Sequence, residues 1–134
     1  MLVTITNTGR MAQTVTPTAA IPLYGRSADN IRDHRHVTSL LHRIETTDTG
    51  VLVTPTLSFD ERGHQVNHMT YYCVGWSGHG EKPVDFYPTA ENFVGEGGNF
   101  ERPYAIVKNA EGVKAGTKIE GLRGMLVVSF SEIT

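Results

Sequence analysis

Cysteine is nearly absent from this chain of 134 residues, since Cys73 is the only one. A single thiol cannot form a disulfide within the chain, and the sequence places no histidine base beside it for nucleophilic catalysis. Long apolar runs are also absent, because no stretch approaches the roughly 18 residues that a transmembrane helix needs. The N-terminal residues lack the basic and then apolar pattern of a signal peptide. We therefore expect a protein made in a host cytoplasm, not secreted by a signal peptide and not in contact with a membrane.

Positive charge is scarce as well. The formal net charge is −2, and no lysine precedes Lys82, so the composition gives no electrostatic case for a nucleic-acid partner. Apolar residues make up 39% of the chain and charged residues 19%, which is ordinary for a globular protein. The length suits one domain with a core. We predict a single β domain over residues 1–134, with an extended N-terminal arm within residues 1–25.

Residues 36–76 have the pattern of a three-stranded antiparallel meander. The first turn is Asp48-Thr49 followed by Gly50, because aspartate tolerates positive φ and glycine adopts it freely. With this turn, apolar residues face each other on one side of the hairpin and mostly polar residues on the other. The predicted apolar pairs are Ile44 with Val53, Leu40 with Leu57 and Thr38 with Phe59, and the polar-face pairs are Glu45 with Leu52, Arg43 with Thr54 and Ser39 with Ser58.

The second turn, with Arg62 and Gly63 in the loop, selects the same apolar face. It predicts the pairs Phe59 with Val66, Val53 with Tyr72, and Val51 with Val74, and it places Cys73 on the opposite face. The alternative for the start of the meander is a short helix at 37–44, because its apolar residues also fit helical spacing. Those residues are Val37, Leu40, Leu41 and Ile44.

The other segments complete an all-β pattern. Residues 2–8 alternate and predict a strand that ends at Asn7-Thr8-Gly9, whereas residues 14–23 carry two prolines and predict an edge strand or an extended arm. Further strands are predicted at 103–108 and 122–131, with short corner strands at Val113 and Ile119 between them. This series predicts an antiparallel β-sandwich, a jelly roll or a small barrel.

Residues 77–100 are predicted to form a long irregular loop. Compact domains seldom carry a loop of this length without a use for it. Four aromatic residues lie in it, so we expect it to fold back over the core or to dock onto a partner. They are Phe86, Tyr87, Phe93 and Phe100.

One row of histidines is a candidate metal site. In the predicted register His36 opposes Glu61, and Glu61 opposes His64. Two histidines and one carboxylate are the donor set of a facial triad for a non-haem metal. The row lies at a turn on the rim of the sheet, where polar residues also occur for structural reasons. His34 and His36 resemble the first cupin motif, but Leu40 and Leu41 stand where its glutamate would be, so a cupin metal site is not supported.

The opening stretch, Ile5-Thr6-Asn7-Thr8-Gly9-Arg10-Met11-Ala12-Gln13-Thr14-Val15, is followed by Ile21-Pro22-Leu23-Tyr24-Gly25 and Ser27-Ala28-Asp29. It resembles the start of small β-rich proteins found in tailed-phage structural modules, with Tyr24 in place of a proline. The resemblance covers about the first 30 residues. It implies a virion role, such as a capsid decoration or a neck or tail component, and it transfers no catalytic residues.

We therefore expect a structural virion protein that forms homo-oligomers, contacts other virion or capsid proteins, and has no catalytic, cofactor-binding or metal-binding residues. One alternative is a metal-dependent, cupin-like β-barrel enzyme that uses His36, Glu61 and His64. Another is a carbohydrate-binding module in which aromatic side chains stack on sugars. Its candidates are Trp76, Tyr87 and Tyr104.

Overall fold

The computed structural model describes residues 1–23, 42–60 and 63–134, and these form nine strands and two short helices. The strands are β1 (Thr18–Pro22), β2 (His42–Thr46), β3 (Gly50–Pro55), β4 (Leu57–Asp60), β5 (Gly63–Val66), β6 (Tyr71–Val74), β7 (Asp85–Phe86), β8 (Lys118–Glu120) and β9 (Met125–Ser129), and the helices are α1 (Ala90–Val94) and α2 (Tyr104–Val107).

The strands form antiparallel sheets. A four-stranded sheet has the order β6-β3-β2-β8, a three-stranded sheet has the order β1-β9-β7, and β4 and β5 form a separate hairpin. The predicted all-β class and antiparallel sandwich are confirmed. The alternative of a closed barrel is not, because the sheets in the described part of the chain stay open.

The core between the two larger sheets depends on strand β9. Leu126 and Val128 point from β9 toward the four-stranded sheet and pack with Ile44, Val51 and Val53, all of them almost fully buried. Fully burying an aliphatic side chain of this size contributes about 1.5–3 kcal/mol. This contact therefore holds the two sheets together.

The opposite face of β9 is covered by the region predicted as an irregular loop. Met125 and Val127 pack with Tyr87, Phe93 and Ala105, so that α1 and α2 form a cover over the three-stranded sheet. Residues 77–100 thus fold back over the core, which is one of the two outcomes expected for them. They are less irregular than predicted, because they contain β7 and α1.

The first hairpin has the predicted register. Ile44 pairs with Val53, Glu45 with Leu52, and Arg43 with Thr54. The backbone N–H of Thr47 donates to the carbonyl of Gly50 (2.8 Å), with Asp48 and Thr49 in the turn as predicted. The alternative helix at 37–44 is wrong for residues 42–44, which lie in β2; residues 37–41, and with them the predicted pairs of 38–40, lie outside the described residues.

The register predicted for the second turn is wrong. The structure pairs Leu57, and not Phe59, with Val66 in the β4–β5 hairpin. It pairs Val53 with Tyr71 and Val51 with Cys73, one residue away from the predicted partners Tyr72 and Val74.

In the β4–β5 hairpin the error lies in the turn, because Gly63, predicted in the loop, belongs to β5 and pairs with Asp60. An interruption at Asn67 explains the further shift between β3 and β6. The predicted strand through residues 65–76 breaks there, because the Asn67 side-chain amide donates to the carbonyls of Pro55 (2.7 Å) and Met69 (2.6 Å). Side-chain bonds of this kind compete with the ladder of a sheet. A shift of one residue exchanges the two faces of a strand, so Cys73 packs against the core while Tyr72 and Val74 face outward.

The strand predicted at 103–108 is instead helix α2. Pro103 lacks a backbone N–H and has its φ at −68°, which suits the start of a helix. Asn109 takes a left-handed conformation (φ 48°) and ends the helix. The N–H groups of Asn109 and Ala110 then donate to the carbonyls of Ile106 and Ala105, which is the Schellman pattern.

The ends of the chain agree in part with the predictions. Within residues 14–23, β1 is an edge strand, as predicted, and it pairs with β9. The predicted strand at 122–131 is observed as β9, and the predicted corner strands occur as β8 and as a bridge between Val113 and Phe86. The strand predicted at 2–8 is wrong for the isolated chain, because no described segment pairs with it.

Replacing Gly124 with alanine tests the packing of the two sheets. The added Cβ would clash with Cγ2 of Val53, a buried side chain of β3, so the packing at this contact must shift. We expect Gly124→Ala to lower the free energy of unfolding by about 1–3 kcal/mol in a urea titration. Gly78→Ala is the control, because nothing lies within 4 Å of its added Cβ. Equal stability of the two variants would contradict the packing described here.

Candidate functional site

The most exposed apolar segment of the described chain is its N-terminal arm, which we define as residues 1–13. Its large apolar side chains are almost uncovered, with Leu2 88% exposed, Val3 68% and Ile5 59%. The arm carries no charged side chain before Arg10. The sequence of the arm is therefore typical of a buried strand, although its side chains are exposed to solvent.

The arm leaves the body of the protein at a fixed point. Val15 and Ile133 exchange two backbone hydrogen bonds (2.9 and 3.0 Å), and the hydroxyl groups of Thr14 and Thr134 lie 3.1 Å apart. Before that point a local turn shapes the arm: the Asn7 side chain accepts from the N–H of Gly9 (2.8 Å) and donates to the carbonyl of Met11 (2.9 Å). Within the described residues, the first bonds to the body are made by Thr14 and Val15, which directly follow the arm.

A second apolar surface follows β6. Tyr72 (69% exposed), Val74 (41%) and Trp76 (62%) alternate along one side of this strand and its extension, facing away from the core. Leu52 of β3 pairs with Tyr72 and continues the surface into the sheet. We call these four residues the β6 surface.

The remainder of this sheet face is charged. Arg43 lies opposite Glu120 across β2 and β8, with Arg43 Nε 3.6 Å from Glu120 Oε1, and Glu45 lies opposite Lys118 in the register of the same two strands. Apolar residues on this face are thus concentrated at the β6 edge, and charged residues at the β8 edge.

A third exposed apolar group lies on α2. Ala105 is the buried residue of this helix, whereas Tyr104, Ile106 and Val107 are about half exposed. Phe100, shortly before the helix, is also exposed. The sequence prediction missed this group, since a strand at 103–108 would have turned alternate residues inward.

A cleft of about 440 Å³ lies between α1, α2 and the segment around Val113. Tyr87 and Tyr104 are among the residues that line it, together with the acidic residues Glu91, Glu96 and Glu111. Gly95 has positive φ (72°), and a Cβ there would lie 2.5 Å from Cβ of Tyr104, so the close approach of α1 and α2 requires glycine.

Tyr87 is a structural residue of this cleft. Its hydroxyl donates to the carbonyl of Ala110 (2.8 Å), and its ring packs against Phe93 with a centroid distance of 5.9 Å. Burial raises the pKa of the Tyr87 phenol above its ordinary value, and the carboxylates of Asp85 and Glu111 raise it further. The aromatic ring is buried and therefore does not offer a face for stacking on a sugar.

The other two carbohydrate candidates are exposed but lie on different elements. Tyr104 lies on α2 at the wall of the cleft, and Trp76 follows β6 on the four-stranded sheet. The structure thus divides the three aromatic residues among a buried position, a helix and a sheet edge.

The metal-site candidates lie largely outside the described residues. This is true of His36 and Glu61, and of His64 the structure gives the backbone position in β5, opposite Phe59. Within residues 1–23, 42–60 and 63–134, no three His, Cys, Asp or Glu side chains come together in a way that could hold a metal ion.

No protein-family model matches this chain, and no curated protein matches it with significant similarity. None of the helices in the described ranges is long and apolar enough to cross a membrane.

Removing the Tyr87 hydroxyl tests its structural role. We expect Tyr87→Phe to lower the free energy of unfolding by about 1 kcal/mol, because the Ala110 carbonyl loses its donor. The raised pKa means that the protonated phenol stabilises the fold fully below pH 10, and that this contribution is lost as the pH rises through the folded-state value. Urea titrations at neutral pH and above pH 10 should show that the free energy of unfolding falls less at alkaline pH in the variant than in the parent protein.

Tyr72→Phe is the control for this comparison, because Tyr72 faces outward. Its unfolding free energy at neutral pH should stay within about 0.5 kcal/mol of the parent value. A Tyr87→Phe variant with unchanged stability would contradict the hydrogen bond to Ala110.

Proposed function

We propose that this chain is a structural, self-assembling protein of a phage-like virion, such as a capsid decoration or a neck or tail component. The observation that carries the proposal is the N-terminal arm, which presents Leu2, Val3 and Ile5 to solvent. Free tails of soluble proteins are usually polar, because they have no partner that could cover apolar side chains. A contiguous exposed apolar segment typically marks an interaction site.

The attachment of the arm supports an assembly role. The paired backbones of Val15 and Ile133 fix the point and direction in which the arm leaves the body. An arm that is anchored at its base and uncovered along its length can reach a neighbouring subunit without a change in the fold of its own domain. The β6 surface adds apolar area for such a neighbour.

The virion part of the proposal rests on the resemblance to tailed-phage structural proteins. The residues that carry it include 5–13 of the arm, the anchor at Val15 and the end of β1 at 21–22. The segment that resembles virion proteins therefore includes most of the arm together with residues that pair with the body.

The self-assembly part predicts a solution mass above the 14.7 kDa of one chain. Sedimentation equilibrium at several protein concentrations would measure it. A chain that lacks residues 1–13 should have the mass of one chain and an unchanged circular dichroism spectrum, because the arm bonds to the body first at Thr14. A full-length protein that has the mass of one chain at every concentration would overturn the proposal.

The virion part predicts that the protein is a component of particles. Density-gradient centrifugation of a lysate from particle-producing cells, probed with an antibody against the purified chain, should place the protein in the particle fraction. An unrelated cytoplasmic protein, as the control, should remain at the top of the gradient. Recovery of the chain at the top alone would count against a virion role.

A further inference from the structure

The edges of the two large sheets differ in how they are protected against pairing with another chain. Natural edge strands usually carry charged residues, prolines or short lengths that prevent addition of a further strand. In β1, Pro22 ends the strand and Pro17 precedes it. In β8, charged Lys118 and Glu120 flank the single apolar residue. The β7 edge is bridged by Val113 through two backbone hydrogen bonds to Phe86 (3.1 and 2.8 Å).

The β6 edge is short, at four residues, but it lacks the other devices. Residues 71–76 (Tyr-Tyr-Cys-Val-Gly-Trp) contain no charge and no proline. One side of the strand pairs with β3, and no strand of the described chain pairs with the other. The outward side chains of Tyr72, Val74 and Trp76 also remain uncovered. Both the backbone edge and the apolar face of β6 therefore suit an additional strand.

The arm has the complementary properties. Residues 2–8 (Leu-Val-Thr-Ile-Thr-Asn-Thr) are uncharged, contain neither glycine nor proline, and are rich in the β-branched residues that favour strands. Seven extended residues span about 23 Å, which matches the roughly 20 Å of the six residues 71–76. The segment has strand chemistry, yet its own chain gives it no strand partner among the described residues.

We propose that residues 2–8 of one copy add as a fifth strand to the β6 edge of a second copy. This inference rests on the proposed self-assembly and names the surfaces that carry it. Strand addition provides main-chain hydrogen bonds for affinity, while alternate side chains provide specificity. It pairs two uncharged segments, whereas the β8 edge would oppose them with Lys118 and Glu120. It also covers apolar side chains on both partners at once.

Two full-length variants test the two halves of this contact. Ile5→Lys places a charge on the arm, and Val74→Lys places one on the β6 surface; both side chains are exposed in the single chain, so both variants should keep its circular dichroism spectrum. Each variant alone should sediment with the mass of one chain. If Val74→Lys fails to fold, Tyr72→Lys takes its place, since Tyr72 lies on the same face and is more exposed.

Ile106→Lys on α2 is the matched control, because Ile106 is similarly exposed and the substitution is the same in kind. It should keep the mass of the parent protein. Loss of the parental mass in Ile106→Lys, with Val74→Lys unaffected, would overturn the proposed contact and assign assembly to α2.

Mixing the two variants gives the decisive measurement. Ile5→Lys retains an intact β6 edge and Val74→Lys retains an intact arm, so an equimolar mixture should form a species of twice the 14.7 kDa chain mass. A mixture that stays at the mass of one chain, beside an oligomeric parent, would overturn the arm-to-edge contact and leave the proposed self-assembly intact. A parent with the mass of one chain would overturn both.

Discussion

The burial of β9 on both faces is the constraint on which the rest of this structure depends. Because side chains alternate along a strand, Leu126 and Val128 enter the core between the sheets while Met125 and Val127 enter the core beneath the helices. A strand buried on both faces must be covered on both. The four-stranded sheet covers one face of β9, and the chain between β6 and β8 covers the other. Gly95, which lets α1 and α2 approach each other, serves this second cover.

The sequence predicts the hairpin of β2 and β3 correctly because its determinants are local. The Thr47 hydroxyl accepts from the N–H groups of Thr49 and Gly50 and closes the turn, and the turn sets every pair in the two strands. The next hairpin fails because Gly63, predicted in its loop, lies in β5 and pairs with Asp60. The pairing of β3 with β6 fails because it depends on Asn67, whose side chain bonds to the backbone of another segment. Such a bond depends on the folded arrangement, and strand periodicity does not reveal it.

The candidate interaction site was predictable to a similar extent. The arm follows from the prolines and the turn signals near the N-terminus, whereas the β6 surface does not, because the predicted register turned Tyr72 and Val74 toward the core. Helix α2 was missed since Tyr104, Ile106 and Lys108 alternate with smaller residues as in a strand, although Pro103 and Asn109 are typical helix boundaries. Local patterns thus predicted a strand at 2–8, and that segment has no strand partner among the described residues.

That missing partner bears on how copies of the chain could be arranged. The arm leaves beside Ile133, next to β1 and the three-stranded sheet, whereas the β6 edge belongs to the four-stranded sheet. In the proposed contact the arm of one copy and the β6 edge of the other are different surfaces, so one such contact would leave a free edge on the first copy and a free arm on the second. Contacts of this type close into rings when the rotation between copies permits, or end as a reciprocal exchange between two copies. The backbone bonds of Val15 to Ile133 fix the point at which the arm leaves the body. The short segment between Gly9 and Thr14 would then set the angle at which residues 2–8 meet the β6 edge of the other copy.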